Sequence, residues 1–396
     1  MHFDSASADA IGATVMDMVA IKALSGHERP MADYVEKTLA QAGLHCQRDA
    51  HDNVLAIVEP RHPSAPADTL HLSGHTDTVV PVEGWQTDPW KPLVAGAGEE
   101  RRITGLGTSD MKSGLAIMLH LARYFNDDRR RLQRLRLAVS FTICEEGPVP
   151  GKRNGVHEIL ARQPGRWALT TEASCDDTVP TLAMGCQGHA VAKIQLQGRS
   201  AHSATPESGV NAIHAAAKIC ARVEKLHAGY KPVVIVGDVR ARAACAVTKI
   251  SGGAADNIIP EHCEVTISRR IAPGESRQDV ERELAALTAQ LEPVIAKWTL
   301  RCDAPACVVD SNGPFFAAAT AASVELFGSA RYSWNRARTD MVLFKQAGMD
   351  VLNIGPGFTG QAHVAGEYVR MIDLPRSANL ILKTLENLDG WLSAHS

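Results

Sequence analysis

Residues 8–42 place apolar positions at helical spacing, interrupted at Ser25-Gly26-His27-Glu28-Arg29-Pro30, which predicts helices on either side of a break. Residues 54–59 and 69–73 read as strands, the second running straight into Gly74-His75-Thr76-Asp77. Residues 81–109 carry Pro, Gly, Trp and charge without any period and predict a long surface loop. From Lys112 to about Phe125 the period is helical again, with Leu115, Met118, Leu119 and Ala122 on one face. Residues 136–144 form a continuous β-branched run ending at Glu145-Glu146, and residues 166–171 form another ending at Glu172. Runs without alternation belong to strands buried on both faces, as in a mainly parallel sheet flanked by helices.

After about residue 184 the texture changes. Residues 190–196 and 264–270 alternate apolar and polar, residues 210–226 form a long alanine-rich helix, residues 233–236 and 246–250 read as strands, and residues 278–292 read as helix. This succession predicts a small α+β domain whose sheet is open on one side. From about residue 300 the first texture returns, with helices near 314–327 and 339–347 and a buried strand at 350–354. The fold class is therefore α/β, with a catalytic domain at 1–184 and 299–396 interrupted by an inserted α+β domain at 185–298. A chain of 396 residues is long for one core, which agrees with two domains.

Composition narrows the function. The chain is 45% hydrophobic and 21% charged with a net charge of −3, which leaves no basic footprint for nucleic acid and no polybasic membrane patch. No apolar run approaches the roughly 18 residues of a membrane span, and the opening Met1-His2-Phe3-Asp4 lacks a secretory pattern. The 9 cysteines are odd in number, scattered and without a C-x-x-C, so they read as free thiols in the cytoplasm.

Candidate chemistry sits just past the predicted strands. His75 and Asp77 follow one strand, Asp110 lies in the glycine-rich stretch 105–114, Glu145-Glu146 and Glu172 end two more, and His363 lies in 361–367. The crevice outside the carboxyl ends of such strands is where ligands bind in open α/β sheets. Two histidines and three carboxylates suit two metal ions sharing one carboxylate. Adjacent glutamates on an extended chain point to opposite sides, so one can ligate while the other faces a bound water. Taken singly each has a plainer role: Asp110 as a helix cap, Asp77 as a turn residue, the glutamates as a solvated face. The stretch 107–113 is no phosphate loop, because Leu106 and Met111 stand where that motif needs glycine. Cys144 reads as a buried strand thiol rather than a nucleophile.

These residues resemble the M20 family of dinuclear zinc peptidases and deacylases. The resemblance rests on Gly74-His-Thr-Asp-Thr-Val79, 105–114, Glu145-Glu146, Glu172-Ala-Ser, Gly198-Arg-Ser-Ala-His-Ser203, 252–260 and 355–367, which follow the family's order along nearly the whole chain. Within the family, 209–213 and 355–363 are most similar to acetylornithine deacetylases and succinyl-diaminopimelate desuccinylases. The resemblance implies Asp110 bridging two ions, with His75 and Glu172 on one and Glu146 and His363 on the other. Zinc is the expected metal, and cobalt or manganese would accept the same ligands. Glu145 would be the base that deprotonates metal-bound water and passes the proton to the leaving nitrogen. Asp77 would orient His75. The insert would be a lid through which two copies dimerise, with His202 stabilising an oxyanion in the partner's site. Asn257 and Arg270 would bind substrate, Arg270 by its bidentate fork. Thr339 would also meet substrate.

Two departures concern the substrate. Gly147-Pro148-Val149-Pro150-Gly151 is stiffer than the family's usual stretch there, and Arg338-Thr339-Asp340-Met341 is similar to aminoacylases and carboxypeptidases rather than to acetylornithine deacetylases. Arg336 and Arg338 add positive charge that would favour an acidic substrate. The expected activity is hydrolysis of the amide of an N-acyl amino acid, with a dipeptidase or carboxypeptidase as the alternative, a hydrolase of an unusual amide or amine behind it, and a non-catalytic binding protein as the reading from another class. The expected partner is a small molecule, with neither nucleic acid nor membrane.

Overall fold

The computed structural model describes residues 3–62, 68–147 and 149–395; Met1, His2 and Pro148, weighed above, lie outside them. The chain divides into two compact units: Met1–Gly185, Val309–Asn335 and Thr339–Ser396 form one, and Cys186–Val308 with Arg336–Arg338 form the other.

The first unit is built on a mixed sheet. Seven of its nine strands are β1 (Cys46–Arg48), β2 (Val54–Val58), β3 (Thr69–His75), β4 (Arg136–Thr142), β5 (Trp167–Thr170), β6 (Leu182–Cys186) and β7 (Asp350–Asn353), in the spatial order β1-β2-β4-β3-β5-β7-β6. The middle is parallel: β3 pairs with β4 and β5, and β5 with β7. The flanks are antiparallel, β2 on β4 on one side and β6 on β7 on the other. Every residue of β3 and β5 is buried, as their unbroken apolar runs require. Helices α1 (Ser5–Ala20), α2 (Arg29–Gln41) and α3 (Ser113–Asn126) belong to this unit, and α3 packs on the sheet with Leu115, Ile117, Met118 and Leu121 fully buried.

Two segments differ from the sequence reading. Residues 81–109 are not all loop, because Arg102–Thr104 pairs on one side with Leu93–Ala95 and on the other with Tyr368–Arg370 in a three-stranded antiparallel sheet. Leu93–Ala95 is exposed throughout and only three residues long, too short to show a strand period. The helix Asp373–Ala394, which buries Leu374, Leu380, Ile381, Leu385 and Leu388 and packs against the helix Pro314–Phe327, was not anticipated.

In the second unit, strands Ala244–Gly252, His262–Ile271, Gly188–Gln197 and Ile295–Ala304 lie side by side, all antiparallel. Helices Ala212–Gly229 and Arg277–Thr288 cover one face, closing a core of Ile194, Leu196, Ile219, Val265 and Leu284. Asn211 caps the first helix, and a Ser276–Asp279 capping box starts the second. Strand Ile295–Ala304 pairs with Gly188–Gln197, so this unit extends to Val308 rather than stopping at 298.

Candidate metal centre

Parallel strands β4, β3 and β5 are neighbours, so their carboxyl ends open at one place. His75 is the last residue of β3, Glu172 lies two residues beyond β5, and Glu145-Glu146 lie just beyond β4. Asp110 comes in from the turn before α3, and His363 from the loop after β7. Two groups result: His75, Asp110 and Glu172 in one, Asp110, Glu146 and His363 in the other, each with one ligand atom per residue and all such atoms within 4.8 Å of one another. Asp110 is common to both. Its Oδ1 lies 3.1 Å from His75 Nε2 and its Oδ2 3.5 Å from His363 Nε2. His75 Nε2 also lies 3.5 Å from Glu172 Oε1, and His363 Nε2 lies 2.9 Å from Glu146 Oε2.

The backbone around Glu172 needs glycine to reach this arrangement. A Cβ on Gly114, in the first turn of α3, would stand 2.2 Å from the Thr171 carbonyl oxygen, and one on Gly355 would stand equally close to it and 2.5 Å from that of Glu172. Any side chain at either position pushes the ligand strand away.

Glu145 and Glu146 do not continue β4 as an extended pair. Cys144 turns the chain at φ +57°, and the glutamates follow in a bend. What holds that bend is Asp77. One of its carboxylate oxygens accepts the Glu145 N–H at 3.2 Å, and the other accepts the Glu146 N–H at 3.1 Å and the Ser25 hydroxyl at 2.6 Å. His75 Nδ1 meets the main-chain oxygen of Asp77 at 3.0 Å, with the carboxylate farther off at 3.6 Å. Asp77 thus touches both His75 and the glutamate turn, the second of which sequence reasoning missed. Ser25 was read only as part of a helix break.

The titration of the cluster shows what it attracts. Burial and the charge of Asp110 push Glu172 well above the carboxylate range, with Glu145 adding to the effect. Burial and Asp110 likewise raise Glu146. Burial works against a charged His75, yet Glu172, Asp110 and Asp77 hold it well above the usual histidine value. His363 is raised to about 9, chiefly by its hydrogen bond to Glu146. Every one of these shifts favours uptake of positive charge, because the acids are too many and too buried to stand alone. Glu146 Oε1 is buried with no hydrogen-bond partner among the described residues. A buried, unpartnered carboxylate oxygen beside imidazoles and further acids suits a cation. The donor set therefore fits two divalent ions, with nitrogen and oxygen ligands and no thiolate.

Behind Asp110 lie two more buried charges that sequence reasoning missed. Glu367 is raised to about 7 by burial, against the hydrogen bonds it accepts from the backbone of this turn. Lys112 is lowered to about 7 by burial; its Nζ donates to the Ile21 carbonyl at 3.1 Å and lies 5.0 Å from the centre of the Trp90 ring. Glu367 stands four residues after His363, and Lys112 two after Asp110, so proximity to the proposed ligands was the available signal.

Thr339 is buried in the first unit, its hydroxyl without a partner among the described residues. Its neighbour Asp340 accepts from Asn154 Nδ2 at 2.6 Å and from the Thr142 hydroxyl at 3.4 Å. The remaining sequence candidates lie in the second unit. His202 is exposed and pairs with Ile258 in a short two-stranded sheet, next to Asn257, whose carbonyl accepts the Ser203 N–H at 2.9 Å. Arg270 is not with them: it pairs with His189, while His262 at the other end of the same strand pairs with Gln197. Its neighbour Arg269 is buried and locked between Glu275 and Glu283.

The cluster at the strand ends offers two groups of residues that could each hold a metal ion, the arrangement a dinuclear metallohydrolase requires. Residues 185–295 match the peptidase dimerisation domain, and residues 53–176 match peptidase family M28. A succinyl-diaminopimelate desuccinylase of Stenotrophomonas maltophilia is 29% identical over 88% of this chain and 91% of its own. An acetylornithine deacetylase of Myxococcus xanthus is 26% identical over 96% of this chain and 98% of its own. An M20 family metallo-carboxypeptidase from Sulfolobus solfataricus shares the fold at a TM-score of 0.74 and 16% identity, covering 96% of this chain and 99% of that one. Over nearly its whole length the chain is thus similar to deacylases and metallopeptidases of the M20 type.

Proposed function

We propose that the protein hydrolyses the amide bond of an N-acyl amino acid at this centre. The observation that carries the reading is the pair of ligand groups sharing Asp110, with Glu145 in the turn beside them. His75 and Glu172 would hold one ion and Glu146 and His363 the other, with Asp110 available to both. Divalent ions held there, zinc in our reading, would supply Lewis-acid polarisation of the scissile carbonyl and a lowered pKa for water. Glu145 takes a proton from the attacking water and returns it to the amide nitrogen, so the C–N bond breaks to a carboxylate and an amine. Asp77 fixes the glutamate turn and, through its main-chain oxygen, the tautomer of His75. His202 would serve as the oxyanion donor in a partner copy's site, with Asn257, Arg270 and Thr339 as the candidate substrate contacts.

The deacylase reading is supported by the names of the two relatives, and the carboxypeptidase alternative by Thr339-Asp340 and the Sulfolobus fold neighbour. The dimerisation-domain match supports a homodimer through the second unit, and the 9 free cysteines support a cytoplasmic enzyme. Among the described residues no helix is long and apolar enough to cross a membrane. The test is amine release by metal-loaded protein from N-acetyl-L-ornithine, N-succinyl-diaminopimelate, other N-acyl amino acids and dipeptides. Turnover of an N-acyl amino acid supports the deacylase, and turnover of dipeptides alone would replace it with the peptidase.

A further inference from the structure

The turn that carries Asp110 is attached to the rest of the protein in an unusual way. The buried Glu367 carboxylate accepts three of its backbone N–H groups: Ser109 at 2.7 Å and Asp110 at 2.9 Å on Oε1, and Gly107 at 2.9 Å on Oε2. The main-chain oxygen of Glu367 accepts a fourth, from Gly105 at 2.9 Å. Upstream in the same segment, Phe358 exchanges two hydrogen bonds with the Ser109 hydroxyl, at 3.0 and 3.1 Å. Between these two anchors stands His363. One stretch of chain, 358–367, therefore supplies a ligand to one metal group and grips the backbone of the ligand common to both.

We propose that Glu367 is a positioning residue that fixes the Asp110 backbone and thereby both metal sites at once; the inference rests on the dinuclear reading above. Asp110 shows helical geometry on neither side, at φ −125° and ψ 94°, so the regular hydrogen bonds of a helix do not hold it in place. Its two carboxylate oxygens face opposite histidines, and a rotation of its backbone swings one toward its ion only by swinging the other away. A carboxylate suits this task because its two acceptor-only oxygens can take three N–H groups in a fork. Glutamine offers one oxygen, and its amide N–H₂ would face a donor. Aspartate is a methylene too short.

The experiment is calorimetric titration of the full-length metal-free protein with Mn²⁺, alongside its thermal midpoint. Glu367→Gln is compared with Ser109→Ala, which loosens the same turn from its other anchor. The expected result is two ions per chain in every protein, both bound about 10- to 100-fold more weakly by Glu367→Gln. Ser109→Ala weakens both in the same direction but less, and its metal-free protein melts near the parent. Parent-like affinity in a folded Glu367→Gln would overturn the proposal, as would loss at one ion alone. Should Glu367→Gln fail to fold, an unchanged pair of affinities in Ser109→Ala overturns it. Failure of the unaltered protein to take up two ions would instead sink the dinuclear reading itself.

Discussion

The two halves of the proposed metal centre are built differently. His75 and Glu172 stand at the ends of adjacent buried strands, and the His75 side chain is 1% exposed. Glu146 sits in a bend held by Asp77, and His363 comes from a loop, at φ +60°, with a side chain that is 49% exposed. The sheet sets the first pair before any metal arrives, whereas the second depends on hydrogen bonds of turns. Preorganised ligands lose less freedom on binding, so the strand-end half should be the tighter site and the loop half the exchangeable one.

Asp110 belongs to both halves and its loss should have the largest effect. Asp110→Ala should lower turnover by more than about a thousandfold, and elemental analysis should find less than one ion per chain. Two tightly held ions in that variant would break the shared-ligand account. The halves themselves are separated by His75→Ala and His363→Ala. The first should cost the metal-free protein about 2 kcal/mol, because it leaves buried acids without their partner. The second should leave the thermal midpoint nearly unchanged while a chelator strips one ion readily. Equal behaviour of the two variants would erase the distinction.

A pH titration probes how closed the strand-end half is. His71, on β3 four residues before His75, is lowered to about 4 by burial, against the hydrogen bond of its Nε2 with the Gln163 carbonyl at 3.1 Å. The unfolded chain takes up this proton below about pH 6.5 and the folded protein only below about 4. Stability is thus fully present above the unfolded value and lost as pH falls through this window, by roughly 3 kcal/mol. Urea midpoints between pH 4.5 and 7 should show the slope, and His71→Gln should flatten it. An unchanged slope in that variant would mean that β3 is open to water. The smallest effect concerns the substrate: Arg336→Ala with Arg338→Ala should raise KM about fivefold for anionic substrates only. An equal KM for anionic and neutral substrates would remove these arginines from recognition.

Much of this candidate site was legible because its acids and histidines punctuate hydrophobic runs. His75, Glu145, Glu146 and Glu172 each follow an apolar strand, and a polar residue at such a boundary stands out. The interrupted α/β texture was readable for the same reason, periods of different kind on either side of residue 184. What stayed hidden depends on partners distant in sequence. Asp77 grips a turn 68 and 69 residues away, and Glu367 reaches the Asp110 turn across 257. No local period records such bonds. The strand Leu93–Ala95 escaped because three residues carry no period, and the bend at Cys144 because a left-handed residue at φ +57° leaves no trace in a β-branched run.

The central claim is that Glu145 performs proton transfer at a two-metal centre. Amine release from the N-acyl amino acid panel should be measured for the parent and for Glu145→Gln at matched metal content. The account predicts turnover of an N-acyl amino acid by the parent and a loss of about a hundredfold to ten-thousandfold in the variant, with both ions retained. Parent-like turnover by Glu145→Gln would contradict it.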